Sequence, residues 1–227
     1  MKAMLLAAGL GTRLMPITAN TPKCLVVIKG RPLLGIWLES LRASGIGPYL
    51  INTHYLAEQV STFVKTSAFN DSVMLTNELH LLGTAGTLQK NIDFFGEDDG
   101  MLIHADNYCL ADLAAFVSAH HKRPEHCVMT MMTFRTDSPS ASGIVEIDQH
   151  GVVTKFYEKI SNPPGNLANG ALYILSRELI QQFKTQSVAL SDFSTEVIPE
   201  LIGKIYTYET DMPFLDIGTV ENYNKVK

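Results

Sequence analysis

The opening stretch, Met-Lys-Ala-Met-Leu-Leu-Ala-Ala-Gly-Leu-Gly-Thr-Arg at residues 1–13, limits the fold more sharply than any other part of the chain. Residues 1–8 form an almost continuous apolar run. A strand needs such a run when both of its faces are covered, as in the middle of a parallel sheet. The run ends on Gly9 and Gly11, which let the backbone turn sharply and bring its N–H groups against an anion. A secretory leader also begins with a cation and an apolar run, and residues 17–19 resemble a cleavage site. Arg13 interrupts the run, however, and the run is short for a leader's core. The stretch reads as a buried first strand entering a glycine loop.

Beyond it the chain alternates. Apolar runs bounded by turn residues predict strands at 49–53, 73–76 and 101–105, and a β-rich run covers 127–134. Helical patterning predicts helices at 32–44, with Pro at its first turn and Gly45 after its end, and at 57–64, 84–91 and 111–121. From Gly143 onward the signals are shorter strands at 144–147, 152–157, 171–175 and 204–208. Helices are expected at 177–183, 195–202 and 220–226. No repeat, linker or low-complexity stretch interrupts the chain. This is the pattern of an α/β fold with a doubly wound sheet, followed by a smaller mixed subregion on the same core.

Charge and cysteine usage exclude several classes. The first 38 residues carry Lys2, Arg13, Lys23, Lys29 and Arg31 and no acid, whereas the whole chain has a formal net charge of −5. A cationic segment on an acidic protein suits a small anionic ligand, and a broad nucleic-acid-binding surface is not expected. No stretch has the apolar length of a membrane helix, so no membrane partner is expected. The three cysteines, Cys24, Cys109 and Cys127, are scattered and unpaired by any CxxC spacing. They fit small buried residues in a reducing, cytoplasmic protein.

The glycine loop is neither a dinucleotide fingerprint, since Leu14 stands where a third glycine belongs, nor a P-loop, since no Gly-Lys-Ser/Thr follows. Instead Arg13 lies inside it and Lys23 follows in Thr21-Pro22-Lys23. A forked cation and a point cation beside a glycine turn suit a triphosphate chain. Asp106 closes the strand at 101–105, placing a carboxylate at the carboxyl edge of a parallel sheet, where open α/β sheets bind ligands. Asp216 stands far away in Leu215-Asp216-Ile217-Gly218-Thr219. Hard oxygen donors of this kind suit Mg2+. Taken alone, either aspartate is an ordinary cap or turn residue.

The string Leu6-Ala7-Ala8-Gly9-x-Gly11-Thr12-Arg13-Leu-x-Pro-x-Thr, followed by Pro22-Lys23, resembles the sugar-1-phosphate nucleotidyltransferases. That family includes mannose-1-phosphate guanylyltransferases and glucose-1-phosphate thymidylyl- and uridylyltransferases. Later motifs appear in the family's order, so the resemblance spans essentially the whole chain. It implies a Rossmann-like doubly wound mixed sheet of the nucleotide-diphospho-sugar transferase type with a small sugar-binding subregion. One domain over residues 1–227 is expected, with 1–135 mainly nucleotide-binding and 136–227 mainly sugar-binding.

The implied reaction joins an NTP to a sugar 1-phosphate, giving an NDP-sugar and pyrophosphate, with Mg2+ as cofactor. In this resemblance the loop Leu6, Ala7, Ala8, Gly9, Gly11, Thr12 and Arg13 wraps the nucleotide phosphates and Lys23 neutralises them. Arg13 and Lys23 are the expected catalytic cations, and Asp106 and Asp216 hold the metal. Gly83, Thr84 and Ala85, within Leu82-Gly83-Thr84-Ala85-Gly86, open a helix against the base, and Glu78 is that motif's acidic residue. Gly143, Glu158, Lys159 and Asn169, with Asp216, are the implied contacts of the sugar phosphate. A Glu-Lys dipeptide alone is a solvated surface pair; order and context lift this one. Two departures are visible, His104-Ala105 ahead of Asp106 and Ile160 where the family has Pro.

The attacking phosphate is already an anion, so no general base is nominated. GTP with a mannose- or heptose-type 1-phosphate is the leading substrate pair, for cell-surface polysaccharide precursors. Two alternatives stay open. One is a cytidylyltransferase acting on phosphocholine. The other is a regulatory subunit that senses nucleotide sugars with little catalysis. A homo-oligomer is compatible with the chain. Met129, Met131 and Met132 are expected in the core, and His120-His121 at an exposed helix end.

Overall fold

The computed structural model describes residues 1–227. They form two compact units, Met1–Leu81 with Ile103–Leu110 and Pro213–Lys227, and Leu82–Leu102 with Ala111–Met212. The cuts therefore fall at four points along the chain. The α/β class is as the sequence predicts.

In the first unit the strand Lys2–Leu6 buries Ala3, Met4 and Leu5 completely. It pairs in parallel with Tyr49–Thr53, which pairs in parallel with Val73–Asn77. The crossovers contain the helices Leu33–Ala43 and Ala57–Thr66, as parallel pairing requires. Leu33, Leu34, Trp37, Leu38 and Leu41 recur at helical spacing and are all buried. Ala105 N donates to Leu6 O at 3.1 Å, so the chain after the strand Gly100–His104 runs beside the end of the first strand.

Between the first strand and the first helix lie three 3-10 turns, Thr12–Leu14, Ile17–Ala19 and Lys23–Leu25, and a two-residue hairpin, Val27–Ile28 with Arg31–Pro32. A second short pair, Asn107–Cys109 with Phe214–Asp216, is antiparallel and sets Asp216 opposite Asn107. Neither pair was expected. The Trp37 indole N–H donates to Asn107 O at 2.8 Å, which ties the segment following Asp106 to the buried face of the first helix.

In the second unit the strands run in the order Val153–Glu158, Gly143–Ile147, Leu167–Leu175, Met129–Arg135 and Ile205–Glu209. All neighbours are antiparallel except the last pair. Met129, Met131 and Met132 are fully buried, as expected. The expected helix at 195–202 is corrected. A π-turn at Phe193–Val197 gives way to a 3-10 turn at Pro199–Leu201, because Pro199 has no N–H to continue the ladder.

His120 is also corrected. It is 0% exposed, on the helix Leu113–His121, while His121 is exposed. Its Nε2 lies 3.2 Å from Asp99 Oδ2 and its Nδ1 2.7 Å from Thr130 Oγ1. A carboxylate only accepts, so Nε2 carries the proton and Nδ1 accepts from the threonine hydroxyl. The ring is a neutral core histidine.

Candidate functional site

The residues expected at the phosphates gather in the first unit. Gly11 has φ +65, and a Cβ there would meet Thr18 Cγ2 at 2.9 Å, so conformation and space both require glycine. Thr18 Oγ1 donates to Gly11 O at 2.7 Å and closes the turn. Gly9 has open space around it and Arg13 is 70% exposed, so the loop presents its backbone and its cation to solvent. Ala7 N–H is already used, donating to Asn52 Oδ1 at 2.7 Å.

Lys23 differs from Arg13 in being only 6% exposed. Its ammonium donates to Asp106 Oδ2 at 2.7 Å and lies 3.4 Å from Asp216 Oδ1, while Arg13 Nη2 stands 3.9 Å from Asp216 Oδ2. Crowding by the protein works against ionisation of Asp106. The nearby Lys23 and His104 outweigh it and hold this carboxyl below the ordinary range. Gly218 lets this cluster close, since a Cβ there would meet Arg13 Nη2 and Asp216 Oδ1 at 2.9 Å.

Two carboxylates that share one ammonium already converge on a single cation. No third His, Cys, Asp or Glu completes a cluster with them. A pair of hard oxygen ligands, with the remaining positions left to phosphate oxygens and water, is the donor set that suits Mg2+. The residues therefore fit that ion, which Asp106 and Asp216 would hold.

Glu78 follows the strand Val73–Asn77 and is 2% exposed. Its N–H donates to Thr53 O at 2.8 Å, and its Oε1 accepts from Asn52 Nδ2 at 2.8 Å. Asn52 thus bridges the glycine loop and Glu78. The sequence reading missed it, although an amide at the end of the otherwise apolar run Tyr49-Leu50-Ile51 is itself a signal of a bonded polar group.

The second unit carries the other expected residues. Gly83 has φ +77, and a Cβ there would collide with the carbonyl oxygen of Ser191. At the start of the helix Gly83–Lys90, Ala85 N and Gly86 N both point to Ser191 O, at 2.9 and 3.4 Å, and Thr84 Oγ1 accepts from Phe193 N at 2.7 Å. The carbonyl of Ser191 thus occupies the N–H groups of Ala85 and Gly86 at this helix start.

Gly143 sits opposite Glu158 in register, and a Cβ on it would meet Phe156 Cζ at 2.7 Å and Glu158 Oε2 at 2.8 Å. Glu158 and Lys159 are paired at 2.9 Å, with Lys159 in the left-handed region at φ +49. Asn169 lies on the strand next to Gly143–Ile147, partly exposed. Gly143, Glu158, Lys159 and Asn169 thus lie on neighbouring strands or, for Lys159, at a strand end.

A glycine loop, a buried lysine and two carboxylates, Asp106 just past the strand Gly100–His104 and Asp216 on a short antiparallel pair, thus gather in the first unit. The chain belongs to the nucleotidyl transferase family, whose model matches residues 2–227. The resemblance to sugar-1-phosphate nucleotidyltransferases carried by the motifs is borne out. Among its relatives is mannose-1-phosphate guanylyltransferase of Mycobacterium tuberculosis, 30% identical over 97% of this chain and 62% of the relative. UTP–glucose-1-phosphate uridylyltransferase of Synechocystis is 28% identical over 98% of this chain and 61% of the relative. The chain therefore spans about three fifths of the length of these curated relatives. The solved structure of HddC from Yersinia pseudotuberculosis complexed with GMP-PN superposes with a TM-score of 0.82 at 26% identity, covering 99% of this chain and 97% of that one. No helix is long and apolar enough to cross a membrane.

Proposed function

We propose that the protein joins an NTP to a sugar 1-phosphate and releases pyrophosphate. The observation that carries this reading is Lys23, buried between Asp106 and Asp216 beside a glycine loop that presents Arg13. An oxygen of the sugar 1-phosphate attacks the α-phosphorus in line. The bond from that phosphorus to the α–β bridging oxygen breaks, and pyrophosphate leaves with the electron pair. The attacking group is an anion at neutral pH, so the step needs no base. Its difficulty is repulsion between anions.

Arg13 and Lys23 lower the charge of the triphosphate, the loop from Leu6 to Thr12 holds it, and Lys159 meets the incoming phosphate. Glu158, Gly143 and Asn169 orient the sugar. Mg2+ held by Asp106 and Asp216 would supply further neutralisation of phosphate charge. Gly83, Thr84 and Ala85 are proposed to face the base. The partners are small molecules, with neither nucleic acid nor membrane involved, and a homo-oligomer is compatible with this reading. A cytoplasmic setting is supported by three free, buried cysteines. Burial pushes the Cys24 thiol up to about 12, so it carries no chemistry.

GTP with a mannose- or heptose-type 1-phosphate is the proposed substrate pair. Glu78→Gln is expected to lower kcat/KM with GTP and UTP alike, by roughly tenfold, because it removes the charged acceptor that holds Asn52 and, through Asn52, the Ala7 N–H of the glycine loop. Steady-state comparison of the two nucleotides checks this. The function as a whole is tested by pyrophosphate release across five NTPs, a panel of sugar 1-phosphates and phosphocholine. Turnover confined to one NTP and one sugar 1-phosphate supports the reading. Release with CTP and phosphocholine only, or nucleotide binding without turnover, overturns it.

A further inference from the structure

We propose that Tyr173 is a positioning residue for the sugar 1-phosphate, acting through Asn169. This rests on the reading of Asn169 as a sugar contact. The strand Leu167–Leu175 is not regular. Its register against Met129–Arg135 shifts between Asn169 and Tyr173, and inside that shift Ala171 adopts φ +51, a conformation that costs a non-glycine residue.

The Asn169 side chain is what secures the irregularity. Its Oδ1 accepts from Ala171 N at 2.8 Å, which settles which end of the amide is oxygen. Its Nδ2 then points to the Tyr173 hydroxyl, which accepts at 2.7 Å. An asparagine amide has two N–H donors and two carbonyl lone pairs. The first bond uses one lone pair and the second one N–H, so one N–H and one lone pair remain on a partly exposed side chain. That remainder suits a sugar hydroxyl, which donates and accepts at once. Across the ladder from Asn169 stands Thr133, whose buried Oγ1 has no hydrogen-bond partner, so hydrogen-bonding capacity on this face is unused.

Packing alone does not call for tyrosine at this position. Tyr173 is 0% exposed, and its ring lies 4.7 Å from that of Phe193. A phenylalanine would make the same contact without burying a hydroxyl, and a buried hydroxyl is costly unless it is bonded. Burial pushes the phenol up, so it stays neutral, and Asn169 and Ser194 both hydrogen-bond it. The turn that presses on Tyr173 is itself fixed, since Phe193 N donates to Thr84 Oγ1. The hydroxyl sits on a braced ring and aims one amide.

The experiment is steady-state kinetics on Tyr173→Phe, Asn169→Ala and the double variant, with thermal midpoints measured alongside. Tyr173→Phe is expected to raise KM for the sugar 1-phosphate about tenfold, the scale of one hydrogen bond, leaving KM for the NTP and kcat within about twofold. The double variant is expected to raise the sugar KM no further than Asn169→Ala does alone, because one residue acts through the other. Ser194→Ala gives a second route should Tyr173→Phe fold poorly, with the sugar KM rising about two- to threefold. A lowered midpoint with an unchanged sugar KM marks a merely structural tyrosine and overturns the proposal. Additive effects in the double variant also overturn it. If Asn169→Ala leaves the sugar KM unchanged, or the unaltered protein turns over no sugar 1-phosphate, the underlying reading fails and takes this inference with it. Those results are distinct from a silent Tyr173→Phe.

Discussion

Lys23→Ala is expected to release pyrophosphate at least about 100-fold more slowly than the unaltered protein, the scale of losing a key electrostatic contact in a crowded site. Two effects of the change act in the same direction. Asp106 Oδ2 loses its partner at 2.7 Å and Asp216 Oδ1 its partner at 3.4 Å, so two carboxylates are left facing each other. The triphosphate also loses a cation that is nearly enclosed and therefore weakly screened. Arginine is not expected to restore activity, because a planar fork does not fit a position shaped around a point donor. Asp106→Ala is expected to fall at least as far, since it removes the other half of the same pair. Initial rates at saturating NTP and sugar 1-phosphate, on variants with an unaltered circular dichroism spectrum, check both. Near-normal turnover in either folded variant would remove the site from this position.

His120→Ala is expected to cost about 3 kcal/mol of stability. The loss combines a core cavity with the Thr130 hydroxyl and Asp99, both left short of a partner. For a chain of this size that is roughly 6–12 °C in thermal midpoint. The same residue makes stability depend on pH. Burial, ahead of the opposing bond to Asp99, holds the His120 ring below its ordinary 6.5. Asp99 is held below its ordinary 3.8, first by its bond to His120. A folded-state value below the unfolded one means the unfolded chain takes the proton first. The His120 contribution is therefore complete above pH 6.5 and is lost as pH falls through 6.5 toward the lower folded value. That of Asp99 is lost only below pH 3.8. Midpoints measured from pH 7.5 to 5.0 should fall for the unaltered protein and stay flatter for His120→Ala. A midpoint that rises on acidification would contradict the neutral assignment.

The parts of this molecule legible in its sequence are those whose signal is local. The strands Lys2–Leu6 and Tyr49–Thr53 announce themselves as apolar runs, and the helix Leu33–Ala43 by its spacing between Pro32 and Gly45. The glycine loop, Lys23 and both aspartates were found by motif, and the structure gathers them. What escaped depends on partners distant in sequence. The pair Asn107–Cys109 and Phe214–Asp216 has three residues on each side, too few to show a period. His120 looked like a cationic helix end because His121, Lys122 and Arg123 follow it. Its burial depends on Asp99 and Thr130, which lie on other segments. The closed helix start at Ala85 depends on a carbonyl at Ser191, and nothing near Ala85 signals it.

The chain order of the first unit has a consequence for how the protein is made. Asp106 and Asp216 meet the same ammonium, yet Asp216 belongs to the segment Pro213–Lys227, which is translated long after both Lys23 and Asp106. Until then Lys23 has Asp106 but not Asp216. The strand Asn107–Cys109 waits for its antiparallel partner Phe214–Asp216 to arrive. Contacts closed over such long loops form slowly. Synthesis stopped anywhere between residues 106 and 216 yields a chain that holds the loop, the lysine and Asp106 but lacks the other half of the carboxylate pair. A stretch translated long after the glycine loop completes the charge balance around Lys23.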